Sequence, residues 1–83
     1  MKSTDQIEER VKGGLAKKLG KDESDIRNES KLVEELGLDS LDTFDLLFEL
    51  EKEFDIEIPT VDALGFVTVQ NVIAYIQKRI QSK

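Results

Sequence analysis

Apolar residues recur every three or four positions along most of this chain, a spacing that leaves few folds open. Residues 4–19, 40–54 and 68–80 all show it. Side chains three or four positions apart share one face of an α-helix, so each segment predicts an amphipathic helix. A shorter turn at residues 60–64 precedes Gly65, and no segment alternates as a β-strand does. We therefore expect an all-α protein, a small four-helix bundle with three longer helices and one short helix.

The ends of the first helix are marked in the sequence. Ser3 or Thr4 can cap its start, and Gly20 can end it in a left-handed conformation. Gly13 and Gly14 lie inside it, which indicates either a weak or bent helix or a place where another helix approaches closely. Its expected buried stripe consists of Ile7, Val11 and Leu15.

A long polar loop, residues 21–38, is expected between the first and second helices. Four apolar side chains should hold it to the core: Ile26, Leu32, Val33 and Leu36. Ser30 to Leu36 can form a short helical turn that ends at Gly37. Asp39 is the predicted N-cap of the second helix and Thr68 that of the last. The last helix should bury Val69, Val72, Ile73, Ile76 and Ile80.

The composition excludes several classes of function. The 83 residues are enough for one domain, which we expect to span residues 1–83, and they include no Cys and no His. The chain therefore lacks a thiolate nucleophile, a zinc-thiolate site and the commonest general base. A net charge of −6 argues against binding nucleic acid. No apolar run is long enough for a membrane span or a signal peptide, so we expect a cytoplasmic protein. We also expect it to be a monomer.

The second helix is apolar on two sides. One stripe is an ordinary core face, formed by Thr43, Leu46, Leu47, Leu50 and Phe54. A second group, called here the apolar patch and formed by Leu41, Phe44 and Phe48, lies on another side, beside Ser40. Either the long loop or the short helix covers this patch, or it is exposed and binds another protein.

The charge around this helix favours protein binding. Residues 34–57 contain ten acidic residues and one base, Lys52, so they carry −9 while the rest of the chain carries +3. Acidic residues border the apolar patch: Asp42, Asp45, Glu49 and Glu51. Such a surface would attract a basic partner. No specific metal site is expected, because the ligand pattern of a calcium loop is absent, although weak divalent-ion binding by the acidic cluster stays open.

Ser40 begins the second helix, where unpaired N–H groups favour a bound or attached anion. No His is available to activate it as a nucleophile. Position alone leaves two interpretations: an attachment site, or a helix-start residue with no further role.

The segment Leu36-Gly37-Leu38-Asp39-Ser40-Leu41-Asp42-Thr43 closely resembles the prosthetic-group motif of acyl carrier proteins, especially the discrete bacterial type. The resemblance extends over nearly the whole chain. It includes the segments Ile7-Glu8-Glu9-Arg10-Val11, Val33-Glu34-Glu35-Leu36-Gly37, Glu53-Phe54-Asp55-Ile56-Glu57-Ile58-Pro59, Thr68-Val69-Gln70 and Tyr75-Ile76.

The resemblance implies a carrier and not an enzyme. Ser40 would bear 4′-phosphopantetheine, transferred from coenzyme A by a phosphopantetheinyl transferase that Asp39 helps to bind. Acyl groups would travel as thioesters between enzymes with basic docking patches, in fatty acid biosynthesis or in a specialised lipid or polyketide pathway. The recognition residues would be Leu41, Asp42, Phe44, Asp45, Phe48, Glu49 and Glu51. There are two alternatives: an aminoacyl or D-alanyl carrier, and an unmodified acidic interaction module.

Overall fold

The computed structural model describes residues 4–81. Within that range the chain forms four α-helices, with a 3-10 turn at Glu23–Asp25 in the first connection: α1 (Thr4–Leu19), α2 (Ser40–Phe54), α3 (Thr60–Ala63) and α4 (Val69–Gln81). The only strand-type pairing among the described residues is an isolated antiparallel bridge. The expected all-α class and four-helix bundle are confirmed, including the long loop between α1 and α2.

Two helix ends adopt left-handed backbone conformations. Gly20 has φ +69° at the end of α1, as expected, and the next amide, of Lys21, donates to the carbonyl of Ala16 at 2.9 Å. Asp55 has φ +56° at the end of α2, a conformation that the sequence pattern did not indicate. The expected cap at Ser3 lies outside the described residues.

Every helix and the α1–α2 loop contribute to one hydrophobic core. Its buried side chains are Ile7, Val11, Leu15, Ala16, Ile26, Leu32, Leu36, Leu38, Leu46, Leu47, Leu50, Phe54, Ile58, Ala63, Val69, Val72, Ile73 and Ile76. The buried stripes expected for α1 and α2 are confirmed, apart from the half-buried Thr43. Of the five residues expected to be buried in α4, only Ile80 is half-buried.

The α1–α2 loop is tied to the start of α4 by backbone hydrogen bonds. The amide of Leu32 donates to the carbonyl of Val67 at 2.8 Å, and the amide of Val69 donates to the carbonyl of Ser30 at 3.0 Å. The Asn28 side chain also donates to Gln70 Oε1 at 2.7 Å. These bonds fix the loop in place and with it the residues that precede α2.

Residues 31–37 form successive hydrogen-bonded turns and not a regular helix. The turns direct Leu32 and Leu36 into the core. The expectation that Val33 also pins the loop was wrong, since Val33 is 62% exposed. Neighbouring residues in a tight turn point in different directions, so Leu32 and Val33 cannot both face the interior.

Gly14 lies where α1 approaches α2. A Cβ atom at this position would lie 3.3 Å from Leu46 Cδ1, closer than an ordinary contact, whereas one at Gly13 would meet only the Glu23 side chain at 3.7 Å or more. The interpretation of a close approach to another helix is therefore confirmed for Gly14 and does not apply to Gly13.

Candidate functional site

The first turn of α2 is held in place by Asp39. Its backbone is extended, with φ −93° and ψ −177°, and its Oδ1 accepts a hydrogen bond from the amide of Asp42 at 2.8 Å. Thr43 Oγ1 donates to the carbonyl of Asp39 at 2.9 Å. The expected N-cap is confirmed, and the cap sets where the helix begins. Ser40 is consequently the first helical residue, and it is exposed.

The residues before Asp39 are anchored as well. Gly37 has φ +74°, a conformation that glycine adopts without the steric cost of a Cβ atom. The amide of Leu38 donates to the carbonyl of Leu32 at 3.0 Å, and the Leu38 side chain is buried. Ser40 is thus an exposed residue beside a hydrogen-bonded segment whose Leu38 side chain is buried.

A cavity of about 300 Å³ opens beside Ser40. Its wall includes Ser40 and Asp39, and its lining is otherwise largely apolar, with Leu38, Leu64 and Phe66 among the contributors. A second cavity, of about 290 Å³, lies further along α2 and reaches Ile58. Phe44 of α2 and Ala63 of α3 line both cavities, so the two spaces are adjacent.

The apolar patch on α2 is exposed. Leu41 is 75% exposed and Phe48 57%, while Phe44 is 39% exposed. The alternative in which the loop or the short helix covers this patch was therefore wrong, although the ring of Phe44 also faces the cavities next to α3. All three side chains lie on α2, the helix that begins at Ser40.

The acidic residues around the patch differ in what they contact. Asp45 and Glu49 are exposed, and Glu49 Oε2 lies 3.8 Å from Lys18 Nζ of α1. Glu51 Oε2 instead accepts a hydrogen bond from the amide of Ile58 at 2.7 Å, which stabilises the α2–α3 connection. Sequence spacing did not indicate this contact, because it depends on how the connection turns back after α2. Asp42 is half-buried at the first turn of α2.

The short helix α3 is linked to α4 by a contact that the sequence pattern also did not indicate. Tyr75 Oη donates to Asp62 Oδ2 at 2.6 Å, and the Tyr75 ring packs edge-on against Phe66 with centroids 5.3 Å apart. Partial burial raises the pKa of the Tyr75 hydroxyl above its ordinary value, and the hydrogen bond and charge of Asp62 raise this pKa further. The contact supports α3 at the edge of both cavities.

Within residues 4–81, no helix has the length and apolar character needed to cross a membrane. The part of the chain that the structure describes also contains no cluster of three or more carboxylate side chains positioned to hold a metal ion.

Comparison with known proteins shows which family this site and fold belong to. The family described as the phosphopantetheine attachment site matches residues 9–76. A solved structure of a proposed acyl carrier protein from Mycobacterium tuberculosis is 38% identical, with a TM-score of 0.81 over 87% of this chain and 96% of that one.

The match defines a carrier domain that bears covalently attached 4′-phosphopantetheine. The chain belongs to this phosphopantetheine-attachment family, and within it to the acyl carrier proteins. Members of that class interact with transferase and synthase enzymes.

Proposed function

We propose that Ser40 is the attachment residue and that the chain carries acyl intermediates between enzymes of fatty acid biosynthesis or of a specialised lipid or polyketide pathway. One observation carries this proposal. The exposed Ser40 begins α2 inside the matched region and lines a largely apolar cavity. When bound, the prosthetic group supplies a terminal thiol that holds acyl groups as thioesters. The chain itself acts as a carrier and not as a catalyst.

The residues around Ser40 fit a phosphodiester at this position. The first amides of α2 have no helical partner of their own, and the helix dipole favours negative charge there. The Asp39 carboxylate caps the amide of Asp42, and the amides of Ser40 and Leu41 belong to the first turn, where no helical carbonyl precedes them. The second oxygen of the Asp39 carboxylate would address the transferase and its coenzyme A-bound metal ion.

The cavity supports acyl rather than aminoacyl cargo. Burial of a charged ammonium group in an apolar space is unfavourable, whereas each buried methylene contributes about 0.8 kcal/mol. Leu38, Leu64 and Phe66 offer an acyl chain such a space next to Ser40. Loading assays with an acyl ligase and an amino-acid ligase would separate the two kinds of cargo, and preferential aminoacylation would contradict the acyl assignment.

The apolar patch and its acidic border are the proposed docking surface for partner enzymes. Exposed clustered apolar side chains inside a charged rim are typical of protein interaction sites. Leu41 and Phe48 are the most exposed members of the patch, and Asp45 and Glu49 are exposed beside them. The half-buried Asp42 adds charge near Ser40, and Glu51 adds charge at the other end while also holding Ile58.

The attachment proposal is tested by intact-mass spectrometry. The protein is incubated with coenzyme A and a promiscuous phosphopantetheinyl transferase, and one phosphopantetheine increment is expected. Ser40→Ala should abolish the increment because it removes the accepting hydroxyl. Ser24→Ala is the matched control, since Ser24 is also an exposed serine, on the 3-10 turn. An increment that persists in Ser40→Ala would overturn the assignment.

A further inference from the structure

Lys52 places a cation on the otherwise acidic side of α2. It is the one base in residues 34–57. Its Nζ atom lies 4.6 Å from the centroid of the Phe48 ring, one helical turn earlier. An ammonium group over an aromatic face is attracted by the ring quadrupole, and the attraction strengthens when water is excluded. The cation is therefore held against an exposed member of the apolar patch.

The neighbouring carboxylates of α2 contact other groups. Glu49 lies near Lys18, Glu53 forms an ion pair with Arg10, and Glu51 accepts from the amide of Ile58. These contacts direct three acidic side chains toward α1 or the α2–α3 connection. A partner that approaches Phe48 consequently meets the Lys52 ammonium together with the ring.

We propose that Lys52 is a specificity-determining residue of the docking surface. It selects partner enzymes that provide an apolar socket for Phe48 with a carboxylate beside it, and it disfavours enzymes whose docking patch is basic throughout. This inference rests on the proposed function, because it concerns the surface through which the loaded carrier meets its enzymes.

Docking of a partner excludes water from the Lys52 ammonium and the Phe48 ring. A guanidinium or ammonium group of the partner at this place would compete for the same ring face and would repel Lys52 as water is excluded. A carboxylate there would instead accept hydrogen bonds from the Lys52 ammonium. Specificity is a difference of affinities, so a repulsive contact with the wrong partners is as effective as an attractive one with the right partners.

The first experiment measures kcat/KM for two reactions: malonyl transfer from malonyl-CoA to the phosphopantetheine-bearing carrier, which releases coenzyme A, and acyl transfer from the acylated carrier to a ketosynthase, which releases the carrier thiol. The enzymes are a malonyl transferase and a ketosynthase of bacterial fatty acid synthesis, both with basic docking patches. Lys52→Glu should raise kcat/KM by about threefold to tenfold, chiefly through a lower KM, because it reverses one charge at the interface. The gain should shrink at high salt, where charges at the rim are screened.

Lys17→Glu is the matched control. Lys17 is also exposed and also lies in the last turn of a helix, but on α1. Lys17→Glu changes the net charge by the same amount as Lys52→Glu, and we expect it to change kcat/KM by no more than about twofold. Equal effects of the two substitutions would show that only the total charge matters, and this result would overturn the proposal.

The second experiment reverses the partner's charges. Each Arg or Lys of the ketosynthase patch is changed in turn to Glu, and acyl transfer from the acylated wild-type carrier is compared with acyl transfer from acylated Lys52→Glu. At one position or more, the reversal should favour the wild-type carrier over Lys52→Glu by about threefold or more. If no position does so, Lys52 does not select an acidic neighbour, and the proposal fails.

Intact mass separates the two proposals. Every variant is first incubated with the transferase and coenzyme A, and its mass reports whether it carries the phosphopantetheine increment. A failure of the wild-type chain to load counts against the attachment site. Unchanged transfer rates in fully loaded variants count against the role of Lys52 alone.

Discussion

Asp39 combines a structural contact with a proposed functional one. Its carboxylate caps α2 through the amide of Asp42 at 2.8 Å, and the cap sets the position of Ser40. The same carboxylate is the group that we propose the transferase recognises. A negative charge next to a phosphate attachment point is electrostatically unfavourable, so a capping role alone would be served equally well by Asn or Ser.

Substitutions at Asp39 can separate these two roles. Asp39→Ala removes the cap and should lower the free energy of unfolding by about 1 kcal/mol. Asp39→Asn retains a capping oxygen and should leave stability nearly unchanged, while loading slows by about tenfold or more because the charge is lost. Denaturant unfolding and the initial rate of mass increment measure the two effects. Rapid loading of Asp39→Asn would show that the carboxylate serves only as a cap.

At the scale of single residues, the sequence predicts those features of the site that depend on neighbouring positions in the chain. Asp39 is confirmed as the cap of the helix that Ser40 begins, because an N-cap and the residue after it are neighbours in the chain. The bond from Ile58 to Glu51 and the bond from Tyr75 to Asp62 were not foreseen. Both depend on how α3 returns to its neighbours, and no short-range pattern encodes that geometry.

Between elements, the packing of α1 against Leu46 of α2 depends on the absence of a side chain at Gly14. The Leu46 side chain that fills this space belongs to the core and is almost fully buried. Gly13, one position earlier, faces only the flexible end of Glu23. Two adjacent glycines of one helix thus have different roles, although glycine weakens the isolated helix equally at both positions.

Alanine substitutions test this difference directly. Gly13→Ala should raise the free energy of unfolding by about 0.5–1 kcal/mol, since alanine is the better helix former. Gly14→Ala should lose that gain, because its Cβ atom would lie 3.3 Å from Leu46 Cδ1 in a packed core. The midpoints of urea unfolding provide the comparison. Equal stabilisation by both substitutions would mean that the packing of α1 against Leu46 does not require glycine at position 14.

The helices themselves were largely predictable, and the connections were not. Apolar spacing and capping residues are properties of a few neighbouring positions, so the bounds of α2 match the expectation. The loop is different, because Ser30 and Leu32 bond to residues 67–69, which lie far along the chain. That pairing decides which loop side chains face inward, and it left Val33 exposed against expectation.

At the scale of the whole molecule, negative charge is concentrated around α2. Residues 34–57 carry −9, and the rest of the chain carries +3. Ion pairs link α1 to α2: Arg10 of α1 contacts Glu53, and Lys18 approaches Glu49. The concentration of charge was visible in the sequence. The pairs were not, because they depend on how α1 is rotated against α2.

The balance between repulsion and these pairs determines how salt affects stability. Exposed ion pairs contribute little, whereas ten carboxylates in one segment repel one another, so we expect repulsion to dominate. Raising NaCl from about 20 mM to about 500 mM should screen the repulsion and raise the melting temperature by about 5 °C.

Asp45→Asn is the informative variant for this prediction. Asp45 is exposed and lies outside the cap of α2, so the substitution removes one charge and leaves the fold unchanged. It should raise the melting temperature at low salt and reduce the gain that NaCl produces, since less repulsion remains to be screened. A melting temperature that falls as NaCl rises would show the opposite balance. The pairs between α1 and α2 would then contribute more to stability than the acidic segment costs, and charge would hold the two helices together.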